Sequence, residues 1–185
     1  MSRPKVITAR LNDKCQPVHR AKLYEDPLDK LLKEKGIGSV QDGGTQLDAN
    51  REVAYCEINI ALRTLEAGTL QIVVDELERL GAPKGSKLLI GAGSEVAVGK
   101  NEGLAFYFDN VGLPPEVYAT NDINDVLERF VEAIDGVGAI HSFMNGARET
   151  AVYIYGPSFE TMKAAVSPLV DRHPLCKGAR IVKCA

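Results

Sequence analysis

The most constraining feature of this sequence is the order of its apolar patterns between residues 104 and 184. Two stretches with apolar residues every three or four positions predict helices, one after Asp122 and one after Ser158. Shorter β-type stretches at 105–108, 137–144, 147–155 and 181–182 predict strands. In chain order these elements are strand, helix, strand, tight turn, strand, helix and strand. This order is a split β-α-β repeat.

The first half of the chain carries a related pattern. Residues 53–62 alternate between apolar and polar side chains, as in a half-buried strand, and a helix and a further strand at 87–90 follow. We therefore predict an α+β, ferredoxin-like fold: a β-α-β-β-α-β C-terminal half and a related β-α-β N-terminal half, with antiparallel sheets covered by helices on one face. The two lobes could be joined through one continuous sheet, and a single α+β domain of six or more strands is the alternative.

Three segments follow from this interpretation. Residues 1–50 are predicted to form a basic N-terminal arm with a short strand at 6–11, a short helix opening at Asp26 and a glycine-rich loop from 38 to 50. Residues 51–103 form the first α/β lobe. Residues 104–185 form the ferredoxin-like lobe.

The charge of the chain is unevenly distributed. The net charge is −3, yet residues 1–22 contain six basic residues and one acidic residue. The rest of the chain is therefore acidic, which disfavours nucleic-acid binding by the body of the protein. The basic arm is the segment that could contact phosphates.

Composition also bounds the cellular setting. The four cysteines show no close-spaced pairing, and no signal peptide or long apolar run is visible. We therefore expect a cytoplasmic protein with reduced thiols and no membrane association. The cysteines are Cys15, Cys56, Cys176 and Cys184.

Motifs for cofactors fail in detail. The glycine-rich segment 91–100 resembles a phosphate loop. However, Ser94 stands where the motif requires glycine, and Asn101 stands where it requires Ser or Thr. Segment 103–109 lacks the basic residue and the stacking aromatics of an RNA-recognition octapeptide. We predict no cofactor.

Metal ligation has one weak candidate. Cys15 and His19 are four residues apart, and His173 and Cys176 three apart, which could supply four zinc ligands if the pairs met. Zinc sites usually have tighter pairs within one knuckle. The sequence therefore predicts no metal site.

The most informative polar residues surround the Asn-Gly pair at 145–146, the strongest hairpin signal of the chain. A two-residue turn would place His141 opposite Thr150 and would put both on one face with Arg148. Glu149 would point to the other face. A histidine beside a hydroxyl and a guanidinium could bind an anion or act as a general base.

Four further residues are candidates for the same site. Glu57 and Asn59 lie on the polar side of the strand at 53–62, and Thr45 and Gln46 follow two glycines that permit close approach. We predict that they face the hairpin surface across a groove between two lobes. The predicted ligand- or partner-binding residues are Thr45, Gln46, Glu57, Asn59, His141, Arg148, Glu149 and Thr150.

These features favour a small binding or regulatory protein, with no catalytic residues assigned. An acidic body suits an inhibitor of the immunity-protein type, which neutralises a basic protein partner, and a small ligand in the groove is equally compatible. One alternative is an enzyme acting on a small anionic metabolite, with His141 as acid or base. A second is nucleic-acid binding by the basic arm. An exposed sheet face would also permit a homodimer.

Overall fold

The computed structural model describes residues 4–91 and 93–185. Arg3 of the predicted basic arm and Ala92 of the glycine-rich segment lie outside these residues. The chain forms two compact units that divide between Asn101 and Glu102, and the terminal Ala185 is grouped with the first. They are called the first domain and the second domain below.

The first domain is one antiparallel sheet with strand order β2-β3-β1-β4-β5. Its first four strands and two helical segments give the β-α-β-β-α-β topology, and β5 extends the sheet as a hairpin with β4. The elements are β1 (Lys5–Leu11), α1 (Pro17–Arg20), a π-helical turn (Ala21–Glu25), α2 (Asp26–Glu34), β2 (Gly38–Leu47), β3 (Val53–Leu62), α3 (Ala67–Arg79), β4 (Ser86–Ile90) and β5 (Ser94–Val98).

The core of the first domain lies between the sheet and its helices. Alternation along β1 and β3 turns one apolar row of each strand towards the helices, and these side chains are almost fully buried. The helices α2 and α3 contribute Leu28, Leu32, Val73 and Leu77 to the same core. Among the described residues of this domain, no helix packs against the opposite face, which carries polar and charged side chains such as Thr8, Arg10, Glu57 and Asn59.

The second domain repeats the topology in a separate sheet with strand order β7-β8-β6-β9, also antiparallel. Its elements are β6 (Glu102–Asp109), α4 (Pro115–Thr120), α5 (Ile123–Ala133), β7 (Ala139–Asn145), β8 (Glu149–Gly156), α6 (Phe159–Arg172), a 3-10 helix (Pro174–Cys176) and β9 (Arg180–Lys183).

An aromatic cluster forms the centre of the second core. Phe106 and Phe108 of β6 lie on the helix side of the sheet, and the ring of Phe130 from α5 sits 4.8 Å and 5.9 Å from theirs, edge to face. Asp122 caps the N-terminus of α5, because its side chain accepts a hydrogen bond from the Asn124 backbone N–H. The apolar stripe predicted for this helix packs into this core, to which α5 contributes Val126 and Phe130.

The predicted ferredoxin-like fold is confirmed in both halves, with helices on one face of each sheet. The two sheets are separate, so the continuous-sheet and single-domain alternatives are wrong. Strands β1 and β2 come from residues 1–50 and complete the topology of the first domain. Among the described residues, no helix is both long and apolar enough to span a bilayer.

The loop predicted for residues 38–50 is wrong. Most of it is β2, an edge strand that pairs with β3 through two irregularities in register. Its sequence, rich in glycine and polar residues, lacks the alternation of a half-buried strand, because it is paired along one side only and is mostly exposed.

The predicted hairpin register is also wrong. Asn145 pairs with Thr150 and Phe143 with Val152, so four residues, 146–149, separate the last paired positions instead of two. The Gly146 backbone N–H closes the connection by donating to the Glu149 carbonyl. An irregularity between Ile140 and Ser142 then places His141 in a bulge.

Candidate functional site

On the helix-free face of the first sheet, the predicted residues Asn59 and Glu57 belong to cross-strand ladders. Asn59 accepts a hydrogen bond from Thr8 (2.7 Å) and donates to Asp42 (2.5 Å). Glu57 forms an ion pair with Arg10, 2.8 Å from Nη2. Gln46 lies on the exposed end of β2. These groups bond across three strands and stabilise the sheet.

Thr45 lies on the opposite face, above a buried guanidinium. Arg20 is only 6% exposed and donates from Nη1 to Thr45 Oγ1 (2.7 Å) and to the Gly44 carbonyl (2.9 Å). Its Nε atom donates to Glu25 Oε1 (2.6 Å), in the π-helical turn that links α1 to α2. This charged group attaches the glycine-rich part of β2 to the helical layer.

The structure separates the three residues predicted to form an anion or acid–base site. Since Asn145 occupies the position opposite Thr150, His141 lies four residues further along β7, roughly 13 Å at 3.3 Å per residue. The His141 ring lies 4.7 Å from that of Tyr155, on the helix-free face, whereas Thr150 faces the helices. Arg148 is exposed in the connection.

Glu149 is committed to an ion pair within the second sheet. Arg180 of β9 donates to both of its oxygens at 2.9 Å, and the same guanidinium stacks 4.1 Å from the ring centroid of Tyr107. These bonds from Arg180 lower the pKa of the Glu149 carboxyl. The side chain therefore joins β8 to β9.

Thr150 lines a cavity of the second domain with a volume of about 600 Å³. The cavity lies at the end of β6, where the chain leaves the sheet towards α4, and it extends to the start of α5. Its polar side chains come from Asp109, Asn110, Tyr118, Thr120, Asn121, Asp122, Asp125 and Thr150. None of the described residues that line it is basic.

Most hydrogen-bond donors that line this cavity are already bonded to other groups of the protein. The amide nitrogen of Asn110 donates to the Gly146 carbonyl and Thr150 Oγ1, and that of Asn121 donates to the Val117 carbonyl and Thr120 Oγ1. The hydroxyl of Tyr118 donates to a backbone carbonyl in the same way. The lining donors are thus largely used within the protein.

Acceptors remain available in the same space. In Asp109 and Asp122, one carboxylate oxygen accepts hydrogen bonds from nearby N–H groups and the other accepts none from the described residues. Neither carboxylate oxygen of Asp125 accepts a hydrogen bond from the described residues. The side-chain carbonyl oxygens of Asn110 and Asn121 are also without a donor there. The cavity therefore presents mainly acceptors to a ligand.

Asp109 carries its charge at the rim of the cavity. Hydrogen bonds from the Val111 and Gly112 backbone N–H groups lower the pKa of its carboxyl, and the nearby guanidinium of Arg148 acts in the same direction. At a pH equal to the ordinary pKa of an aspartate, more than half of the Asp109 carboxyl groups are therefore still ionised.

The surface beside the cavity is acidic as well. Residues 115–135 contain six carboxylates and one basic side chain, Arg129, and all six carboxylates are exposed. None of them forms an ion pair within the described parts of the chain. The six are Glu116, Asp122, Asp125, Glu128, Glu132 and Asp135. The field around the cavity therefore attracts cations.

Sequence analysis identified Thr150 as a candidate but missed the carboxylates of this cavity. In the sequence, Asp122 marks only the start of a predicted helix, which it caps in the structure, and Asp109 ends a segment that departs from an RNA-binding motif. The available signal was the polar run 120–125 directly before a helix, together with Asp109 and Asn110 at a strand end.

Three of the four residues of the weak zinc candidate, Cys15, His173 and Cys176, are buried or hydrogen-bonded within the protein, and Cys56 is buried as well. Burial raises the pKa of Cys15 and Cys56, and it raises that of Cys176 to about 11. His173 Nδ1 accepts a hydrogen bond from the Leu175 backbone and begins the 3-10 helix. Burial lowers the pKa of His173, so the neutral ring that accepts this bond is favoured.

This burial predicts selective thiol chemistry. In the folded protein at pH 8, iodoacetamide should modify the half-buried Cys184 first and leave Cys15, Cys56 and Cys176 largely unmodified, because few of their thiols are ionised or accessible. Mass spectrometry of timed samples measures this, with urea-unfolded protein as the control in which all four should react. Equal rates for Cys15 and Cys184 in the folded chain would contradict it.

Comparisons with known proteins reveal no family. No family model matches the chain, and no curated protein matches it. Solved structures align over most of its length at low identity.

Three of these structures show how different the aligned proteins are. The regulatory subunit of aspartate kinase from Thermus flavus is 15% identical, with 90% of this chain and 93% of that chain covered and a TM-score of 0.29. The first two RRM domains of the yeast poly(U)-binding protein Pub1 are 13% identical, with 98% and 99% covered and a TM-score of 0.28. A putative monooxygenase from Lactobacillus acidophilus is 11% identical, with 100% and 95% covered and a TM-score of 0.30. Such likenesses do not extend to function.

Proposed function

We propose that this protein is a small, non-catalytic binding or regulatory protein whose second domain holds a cationic ligand. The observation that supports this most strongly is the acceptor-rich cavity, which carries three carboxylates and no basic side chain among its described lining residues. A protonated amine or a guanidinium supplies the positive charge and the N–H donors that such a lining lacks. A volume of about 600 Å³ is typical of small-molecule sites.

The enzyme alternative has less support. It relied on His141 lying beside Arg148, and in the observed hairpin register these residues lie apart. It also required an anionic metabolite, whereas the cavity that contains Thr150 is lined by carboxylates. An anion would be repelled from this cavity.

Nucleic-acid binding by the basic arm also has less support. Three of its cations are paired within the first domain: Arg10 with Glu57 (2.8 Å), Lys14 with Glu52 (3.4 Å) and Arg20 with Glu25 (2.6 Å). Neutralised cations release few counterions from a phosphate backbone.

An inhibitor of the immunity-protein type is the second candidate function. The exposed carboxylates of residues 115–135 favour a basic protein partner through charge complementarity. In that case the acidic outer side of α5, including Glu128 and Glu132, would carry the contact, and the cavity would be incidental.

The cavity proposal predicts specific losses of affinity. Methylammonium should bind the full chain with a millimolar dissociation constant, because small ligands gain at most about 1.5 kcal/mol per non-hydrogen atom. Asp122→Asn and Asp125→Asn should each weaken binding about three- to tenfold. The interaction that each variant loses should be stronger than an exposed ion pair and weaker than a charge-assisted hydrogen bond. Asparagine at 122 also keeps a good helix cap. NMR titration of backbone amides measures the constants.

Two controls separate the cavity from general electrostatics. Glu132→Gln removes one charge from the same helix outside the cavity lining and should change affinity less than twofold. Tetramethylammonium has the same charge as methylammonium but no N–H donor and should bind more weakly. Equal losses in Glu132→Gln and Asp125→Asn, with no preference between the two cations, would overturn the proposal.

A further inference from the structure

A second cavity of about 340 Å³ lies in the same domain, between α5 and the hairpin of β7 and β8. Its walls are mainly apolar: Ile123 and Leu127 come from α5, and Phe143 and Val152 come from the paired strands. Asn124, Asn145 and Thr150 supply its few polar groups. This lining contrasts with the carboxylates of the first cavity.

The two cavities adjoin. Ile123 and Thr150 line both of them, so the side chains at the start of α5 and the start of β8 form their common border. Together the two volumes stay within the range of about 300–1,000 Å³ that small-molecule sites occupy. A ligand that crosses this border would meet acceptors on one side and apolar walls on the other.

We propose that the two cavities form one bipartite site, and that its ligand is a small amphipathic amine: an ammonium or guanidinium group attached to an apolar body. This inference rests on the proposed function, since the cationic group occupies the acceptor-rich cavity. The apolar body leaves water and contacts Leu127, Phe143 and Val152. Inorganic cations and polyamines match only one half of the site.

The apolar half makes a quantitative prediction about chain length. Each methylene transferred from water to an apolar wall strengthens binding about fourfold, which corresponds to about 0.8 kcal/mol. Butylammonium should therefore bind at least about tenfold more tightly than methylammonium, and hexylammonium more tightly again. The gain should level off once the chain fills the apolar cavity.

The test is an NMR titration of the full chain with methyl-, butyl- and hexylammonium, repeated on three variants. Leu127→Phe fills the apolar cavity and Phe143→Ala removes one wall, so both should reduce the gain with chain length and leave methylammonium binding unchanged. Val131→Ala, on the exposed side of α5 at 56% exposure, is the matched control and should keep the full gain. Because Leu127→Phe adds volume and Phe143→Ala removes it, the test still works if one of the two variants fails to fold.

The outcomes separate the two proposals. If methylammonium binds through Asp122 and Asp125 but longer amines bind no better, the bipartite site is overturned and the proposed function stands. If no amine binds, both fail. If only a lysine-rich peptide binds, and the shifted amides lie around Glu128 and Glu132, the protein-partner alternative replaces both.

Discussion

Replacing Gly43 with alanine is expected to destabilise the first domain by about 1–3 kcal/mol, the usual range when an added methyl group overlaps packed neighbours. A Cβ atom at this position would overlap Glu25 Oε1 and lie 2.8 Å from the Arg20 Nε atom. The ion pair between these side chains would have to separate or shift. If it separates, the loss approaches about 3–5 kcal/mol, because a largely buried charge is left uncompensated.

Gly44→Ala is the matched control for this change. No atom lies within 4 Å of a Cβ built at Gly44, so alanine there should change stability by less than about 0.5 kcal/mol. Urea denaturation of both variants measures the difference in the free energy of unfolding. Equal effects of the two substitutions would mean that Arg20 and Glu25 do not fix β2 as described.

Phe130→Ala is expected to destabilise the second domain by about 3–5 kcal/mol. The Phe130 ring is fully buried and packs against both Phe106 and Phe108, so truncation removes apolar contacts and leaves a cavity at the centre of the core. Hydrogen exchange should show the lost protection in β6 and α5.

The neighbouring residue provides the comparison for Phe130→Ala. Val131 lies on the same helix but is 56% exposed, and Val131→Ala should cost less than about 0.5 kcal/mol. If both variants lose similar stability, the assignment of the inner and outer sides of α5 is incorrect.

The elements that could be predicted from sequence are those whose pattern is local. Val126, Phe130 and Ile134 recur at helical spacing, and all three are buried in the second core. Strand β2 could not be predicted in this way. It is an exposed edge strand attached to Arg20, 24 residues away from Gly44 in the chain, and apolar periodicity does not record such a contact.

The candidate site was predictable only in fragments, for a similar reason. Asn145 and Gly146 predict the hairpin, but its register depends on a bulge at His141 and on the longer connection, to which Asn110 binds from just beyond the end of β6. The acceptor-rich character of the cavity arises because the amide donors of Asn110 and Asn121 are bonded elsewhere. Residue types alone do not show which side of an amide remains available.

The most direct test of the central claim is a map of backbone amide shifts in the full chain on addition of methylammonium, with acetate as the counter-probe. If the cavity binds a cation, methylammonium should shift mainly the amides of Asp109, Asn110 and residues 121–125, and acetate should shift none of them. Shifts spread evenly over the exposed carboxylates of both domains, or a response to acetate at the cavity, would contradict the proposal that this cavity binds a cation.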